Sequence, residues 1–189
     1  AILSENNDFR GKYLIVVPSD EDLSDIQWKS QDGLTRKTIL QRAHAFFSSN
    51  ANTIAFGLGD KSGNEEQFVK EFKTIKPCIW GSDAHDFDKL FEPDEQRYCW
   101  IKADATFEGI RQILFEPRDR VFIGEYPALF SRIKSARGNY INSISVNQIN
   151  GYDERKGIWF KNFELQLGFE LIAIIGNKGK GKSAIADII

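Results

Sequence analysis

Residues Gly176-Asn177-Lys178-Gly179-Lys180-Gly181-Lys182-Ser183 fit the spacing G-x-x-x-x-G-K-[ST], and they directly follow the apolar run Leu171-Ile172-Ala173-Ile174-Ile175. This order constrains local structure strongly. It predicts a buried strand, a glycine loop whose backbone N–H groups turn toward one point, and a helix whose positive end faces the same point. Side chains at the glycine positions would hold a bound group away from those donors. The pattern fits a polyphosphate, so Gly176, Asn177, Lys178, Gly179, Lys180, Gly181, Lys182 and Ser183 form a candidate nucleotide site. Lys182 is expected on the β- and γ-phosphates of ATP, with the Ser183 hydroxyl on Mg²⁺. Lys178 and Lys180 add local positive charge. A plain glycine-lysine surface turn would not need Ile174 and Ile175 before it, or Ala184-Ile185 after it.

The rest of the composition narrows the partners. Among 189 residues, 25 basic side chains nearly balance 27 acidic ones, for a net charge of −2, so no bulk positive field marks a nucleic-acid binder. Any polyanion site must be local. Cys78 and Cys99 are the two cysteines, too few for a disulfide framework, and their apolar neighbours point to buried thiols in a reducing cytoplasm. No apolar run approaches the length of a bilayer span, and none follows a charged leader, so no membrane partner is expected. The chain opens on alanine and contains no methionine, which reads as an interior excerpt of a longer product. A glycine loop of this kind is the first element of its domain, so the excerpt by itself is not expected to hydrolyse ATP.

Upstream, strands and helices alternate. Tyr13 to Ser19 reads as a buried strand, followed by a polar stretch to Gly33 and a helix from about Thr35 to Ser49. Thr53 to Gly59 reads as a second strand. Asn64 can cap a helix over Glu65 to Ile75, with Phe68, Phe72 and Ile75 on one stripe and Pro77 as its stop. Cys78 to Asp83, Tyr98 to Lys102 and Arg120 to Gly124 read as further strands, with a helix over Thr106 to Phe115. Such alternation predicts an α/β fold built on a mainly parallel sheet or barrel. That pattern ends near Pro127. Residues 128–138, with Arg132, Lys134 and Arg137, suit a connector, and Tyr140 to Val146 and Ile158 to Leu167 alternate as antiparallel strands do. The predicted division is therefore 1–127, a linker at 128–138, and 139–189.

Gly81-Ser82-Asp83-Ala84-His85 is the second candidate site. Asp83 and His85 stand two apart at a strand's C-terminal end, offering one carboxylate and one imidazole to a metal, unless Asp83 merely caps the next helix. A hydrolytic ion needs three or more ligands, and His44 is the one other histidine. His44 reads as a packed or surface residue of its helix, so the metal site is expected to be incomplete. Trp28, Trp80, Trp100, Trp159 and the fifteen phenylalanines read as core packing before base stacking. Lys102, Arg111 and Arg118 read as solvated edge charges.

Gly81 to His85 resembles the last metal-binding motif of the PHP (polymerase and histidinol phosphatase) family, a distorted β/α barrel of metal-dependent phosphoesterases. Trp100 to Pro117, with Arg120-Val121, resembles the segment that closes the barrel in PHP-associated ATPases of the TrlF-like type, where the barrel is fused to an ATPase similar to RecF and SMC proteins. Ile158 to Leu167, followed by Glu170 to Ile189, resembles the opening strands and P-loop of that ATPase. The resemblance implies metal ligation by Asp83 and His85, with Zn²⁺ or Mn²⁺ at the complete site, and nucleotide binding from Gly176 to Ser183. It also implies action on nucleic acid, in DNA repair or phage defence, and oligomer formation through the ATPase domain. The family's early H-x-H ligands are missing from these residues, as are its later signature motif and acidic strand. A scaffold with an inactive PHP-like half is the competing expectation. A stand-alone small-molecule phosphatase is disfavoured by the attached P-loop.

Overall fold

The computed structural model describes residues 5–18, 33–61, 63–157 and 160–189. The polar stretch at 19–32, with Ser19 and Trp28, and the pair Ile158 and Trp159 lie outside the described residues. The chain is mixed α/β and divides into two compact units, Ala1–Pro127 and Ala128–Ile189.

In the first unit, β1 (Val16–Pro18), β2 (Ala45–Phe47) and β3 (Cys78–Ile79) form a parallel sheet in that order. Val16 faces Ala45, and Phe46 faces Cys78. Between the strands run α1 (Gly33–Arg42), α2 (Ala51–Gly57) and α3 (Glu65–Phe72). Then β4 (Cys99–Ile101) and β5 (Val121–Ile123) pair with each other, the chain passing through α4 (Phe107–Gln112) and the short α5 (Pro117–Arg120) between them. The described strands form small open sheets and close no barrel.

Helix α3 follows directly from its sequence. The Asn64 side chain accepts from the Gln67 N–H, Glu65 and Glu66 occupy the first turn where the helix dipole favours anions, and Lys70 lies in the last. Phe68 and Phe72, one turn apart, are buried against Leu40, Phe46 and Cys78, the centre of this unit's core. Replacing the cap, Asn64→Ala, is expected to cost about 1 kcal/mol. A urea titration would show this as a lower midpoint with unchanged slope.

Other expectations are corrected. The helix expected to run to Ser49 stops at Arg42, because the chain from His44 onward bonds to its sheet neighbours and Ala45–Phe47 form β2. The Ala45 N–H donates to the Ile15 carbonyl, and the Phe46 N–H to that of Pro77, so tertiary ladder bonds override helical periodicity. The strand expected over Thr53 to Gly59 is helix α2. Asn50 caps it by accepting from the Asn52 N–H, and a short apolar run carries no period that separates strand from buried helix. Strands β4 and β5 are antiparallel, not parallel, with Trp100 opposite Phe122. Arg118, read as a solvated edge charge, is a tie: its guanidinium reaches Asp60 at 2.7 Å, Glu65 at 3.4 Å and the Leu58 carbonyl at 2.6 Å. Arg111 pairs with Glu108 one turn earlier on α4.

The second unit opens with α6 (Ala128–Ser135), so the expected connector is largely helical. Strands β6 (Ser143–Val146) and β7 (Phe163–Gln166) then pair antiparallel, Ile144 facing Leu165. Alternation puts Ile144 inside and its neighbours in solvent. The strand expected over Glu170 to Ile175 does not form. No described strand lies beside it to complete a ladder, and Leu171 and Ile175 are 100% and 90% exposed. The last element is α7 (Lys182–Ile188). Among the described residues, no helix is long and apolar enough to cross a membrane.

Candidate functional site

The loop from Gly176 to Ser183 is exposed over most of its length, and its glycines are where backbone geometry demands them. Gly179 and Gly181 have φ of 79° and 82°, and Gly176 has φ of 155°, values that favour residues without a Cβ. Gly181 is the N-cap of α7 in the left-handed conformation. Lys182 folds back over the loop. Its stem lies 3.9 Å from where a Gly176 Cβ would stand, and its ammonium donates to the Asn177 carbonyl at 2.8 Å. The structure therefore brings Gly176, Asn177 and Lys182 together, while Lys178, Lys180 and the Ser183 hydroxyl remain exposed beside them.

Asp83 and His85 stand in the loop after β3, both exposed, with Asp83 at φ 50°. Asp83 is not the cap of the next turn, since Phe87–Lys89 has Asp86 at its N-cap position and no side-chain cap bond. Among the described residues, no group of three or more His, Cys, Asp or Glu side chains could hold a metal ion. By themselves, one carboxylate and one imidazole fall short of a hydrolytic ion site.

His44 lies elsewhere, between α1 and β2 rather than within a helix. Its Nδ1 accepts the Ile15 N–H at 2.8 Å, which fixes the neutral ring with its proton on Nε2. Burial, then the Lys76 and Arg111 charges, hold its pKa below the usual histidine range. It is a packed structural histidine.

The chain matches no family model, no curated protein and no solved structure.

Sequence reading missed a cleft of about 280 Å³ between the end of β3 and the start of β4. It is lined by Trp80, Ser82, Phe91, Arg97, Tyr98 and Trp100, among others. Both tryptophans are half-buried, and the Trp100 Nε1–H donates to the Gly124 carbonyl at 3.0 Å, fixing that indole. Cys99, also in the lining, is held above the ordinary thiol range by burial and so stays protonated at neutral pH. An apolar strand end looks alike in sequence whether it faces a core or a cleft. Lys76 was also missed. It is 2% exposed, its ammonium bonds the Thr74 hydroxyl at 2.8 Å, and burial, then the nearby Lys73 charge, pushes its pKa down to about 8.

Proposed function

We propose that this chain is the junction of an ATP-binding protein: a PHP-like α/β unit followed by the opening part of a RecF- and SMC-like ATPase, acting on nucleic acid in repair or phage defence. The observation that carries the reading is the loop itself. Glycines occupy its positive-φ positions, and Lys182 lies folded over Gly176 and Asn177. Backbone N–H groups in such turns form an anion-binding concavity. When Mg·ATP is bound, the ion neutralises phosphate charge; the chain's part is to supply the Lys182 ammonium and the Ser183 hydroxyl at the loop's end.

Calorimetry of the 189-residue chain with Mg·ATP and Mg·GTP tests this. Binding is expected without turnover. Lys182→Ala is expected to weaken it by roughly 10- to 100-fold, the range for a hydrogen bond to a charged group. Absence of heat with both nucleotides would end the reading.

The small donor set around Asp83 and His85 favours a second reading, in which the first unit is a scaffold or interaction surface coupled to the nucleotide state. Metal-dependent phosphodiesterase assays of the full-length parent and its Asp83→Ala variant separate the two, because these residues by themselves offer an incomplete ligand set. A rate lost in the variant supports the hydrolase, and no rate in either supports the scaffold.

A further inference from the structure

We propose that the aromatic cleft between β3 and β4 binds a quaternary ammonium group, the trimethylated nitrogen of a choline-like molecule or of a methylated lysine. Nothing in the nucleotide reading above is needed for it.

The lining offers π-faces in one place. Trp80, Phe91, Tyr98 and Trp100 bring four aromatic rings to a space of about 280 Å³, at the small end of ligand sites and suited to a compact head group. Three of the rings are braced by neighbours. Trp80 packs on Phe47 with centroids 5.1 Å apart, and Tyr98 and Trp100 stand edge to face at 6.4 Å. Trp100 also meets Tyr126 at 6.1 Å, while its Nε1–H donates to the Gly124 carbonyl. Docking on rings already held costs little further ordering. Phe91 is the exposed member of the lining, 79% in solvent, with φ 67°, a backbone region that bulky residues sparsely populate and that recurs at ligand clamps.

Charge decides the occupant. The segment from Asp83 to Arg97 gives the cleft Phe91, Pro93 and Arg97, and it carries six exposed carboxylates against two cations, Lys89 and Arg97. Arg97 is itself countered by Glu95 at 3.4 Å, so the field at the rim is negative. Such a mouth repels anions and draws cations in. The face of an aromatic ring, the negative part of its quadrupole, attracts the same sign of charge. Rings and rim therefore select one kind of ligand independently.

The donor chemistry narrows the cation further. A metal ion needs converging ligands, and among the described residues no group of three or more His, Cys, Asp or Glu side chains could hold one. A primary ammonium carries in three N–H donors and a guanidinium five, each calling for an acceptor. A trimethylated nitrogen brings charge and apolar methyl surface with no donor to satisfy, which matches a lining made chiefly of rings.

The test titrates the 189-residue chain with choline by calorimetry, following intrinsic tryptophan fluorescence alongside. A parallel titration uses the neutral isostere of choline, in which a tert-butyl group replaces the trimethylammonium. Choline is expected to bind and to change tryptophan emission, and the isostere to bind roughly tenfold more weakly or less. Phe91→Leu keeps apolar bulk and removes one π-face. It is expected to weaken choline binding by about 2- to 30-fold, the range for one cation–π contact, and to leave the isostere unaffected. Glu92→Gln combined with Asp94→Asn is expected to weaken choline binding roughly 2- to 5-fold at low salt. All three side chains are exposed, so thermal unfolding of the variants should match the parent and separate lost binding from lost fold. A peptide carrying trimethyllysine, set against its unmethylated form and against choline, distinguishes the two sources. Tighter binding of the methylated peptide than of choline names a modified protein, the reverse order names a small molecule, and both support the cleft. The proposal is overturned if choline and the methylated peptide both leave heat and emission unchanged, if the neutral isostere binds as tightly as choline, or if the folded variants bind choline as the parent does.

Discussion

Phe68→Ala is expected to lower the stability of the first unit by about 3–5 kcal/mol, most of what a marginally stable domain has to lose. Phe68 is fully buried, with its ring 4.7 Å from Phe72 and 5.2 Å, edge to face, from Phe56. Relaxation into the space left behind is hindered on three sides. Phe56 and Phe72 are held against each other at 5.5 Å, Phe56 stacks on Phe46, and the Gly59 backbone approaches so closely that a Cβ there would meet the Phe68 Cβ at 3.2 Å. A cavity therefore remains, and its cost adds to the lost burial. Phe68→Leu, which keeps much of the volume, should cost far less. Urea midpoints of the two variants measure the difference, and equal midpoints would mean that Phe68 is not the keystone of this core.

Lys76→Met is expected to stabilise the first unit at pH 7, on the order of 2 kcal/mol, and to give no gain near pH 10.5. The folded state holds the Lys76 proton weakly, with a pKa of about 8 against an ordinary 10.5. Below pH 8 both states carry the charge, and the full cost of burying an ammonium is present. Between pH 8 and 10.5 the unfolded chain binds the proton and the folded one does not, so stability rises with pH across that window. Methionine keeps the apolar stem, removes the charge, and leaves behind only the exposed Thr74 hydroxyl. Because other groups titrate in the same range, the measurement is the gap between parent and variant at pH 7 and pH 10.5. A gap that stays constant would show that burial of the ammonium is not its source.

Legibility of the fold from sequence varied with the kind of signal each segment carries. Helix α3 was readable because a cap, acidic first turn and i, i+4 phenylalanines agree. The β6 and β7 pair was readable because strict alternation has one interpretation. Ala45 to Phe47 and Thr53 to Gly57 differ from the expected elements, since short apolar runs satisfy either period: ladder partners far away in sequence decide the first, and the local Asn50 cap accompanies the second. The direction of β4 against β5 was hidden for a different reason: strand and helix alternation fixes neither the turn of the connection nor the sense of pairing. At the sites, the glycine positions of the 176–183 loop could be placed from spacing, because positive φ is what glycine uniquely tolerates. The positive φ of Phe91 could not, as phenylalanine does not advertise it. Trp80 and Trp100 were indistinguishable from core until their common cleft was seen.

With the Lys182 methylenes already draped over Gly176, and the ammonium docked on a neutral oxygen of Asn177, the side chain has surrendered much of its roughly 2 kcal/mol of rotamer entropy to the fold. On the nucleotide reading proposed above, an arriving anion would need only to displace one uncharged acceptor, so a short swing of the lysine tip would exchange a weak hold for a stronger one.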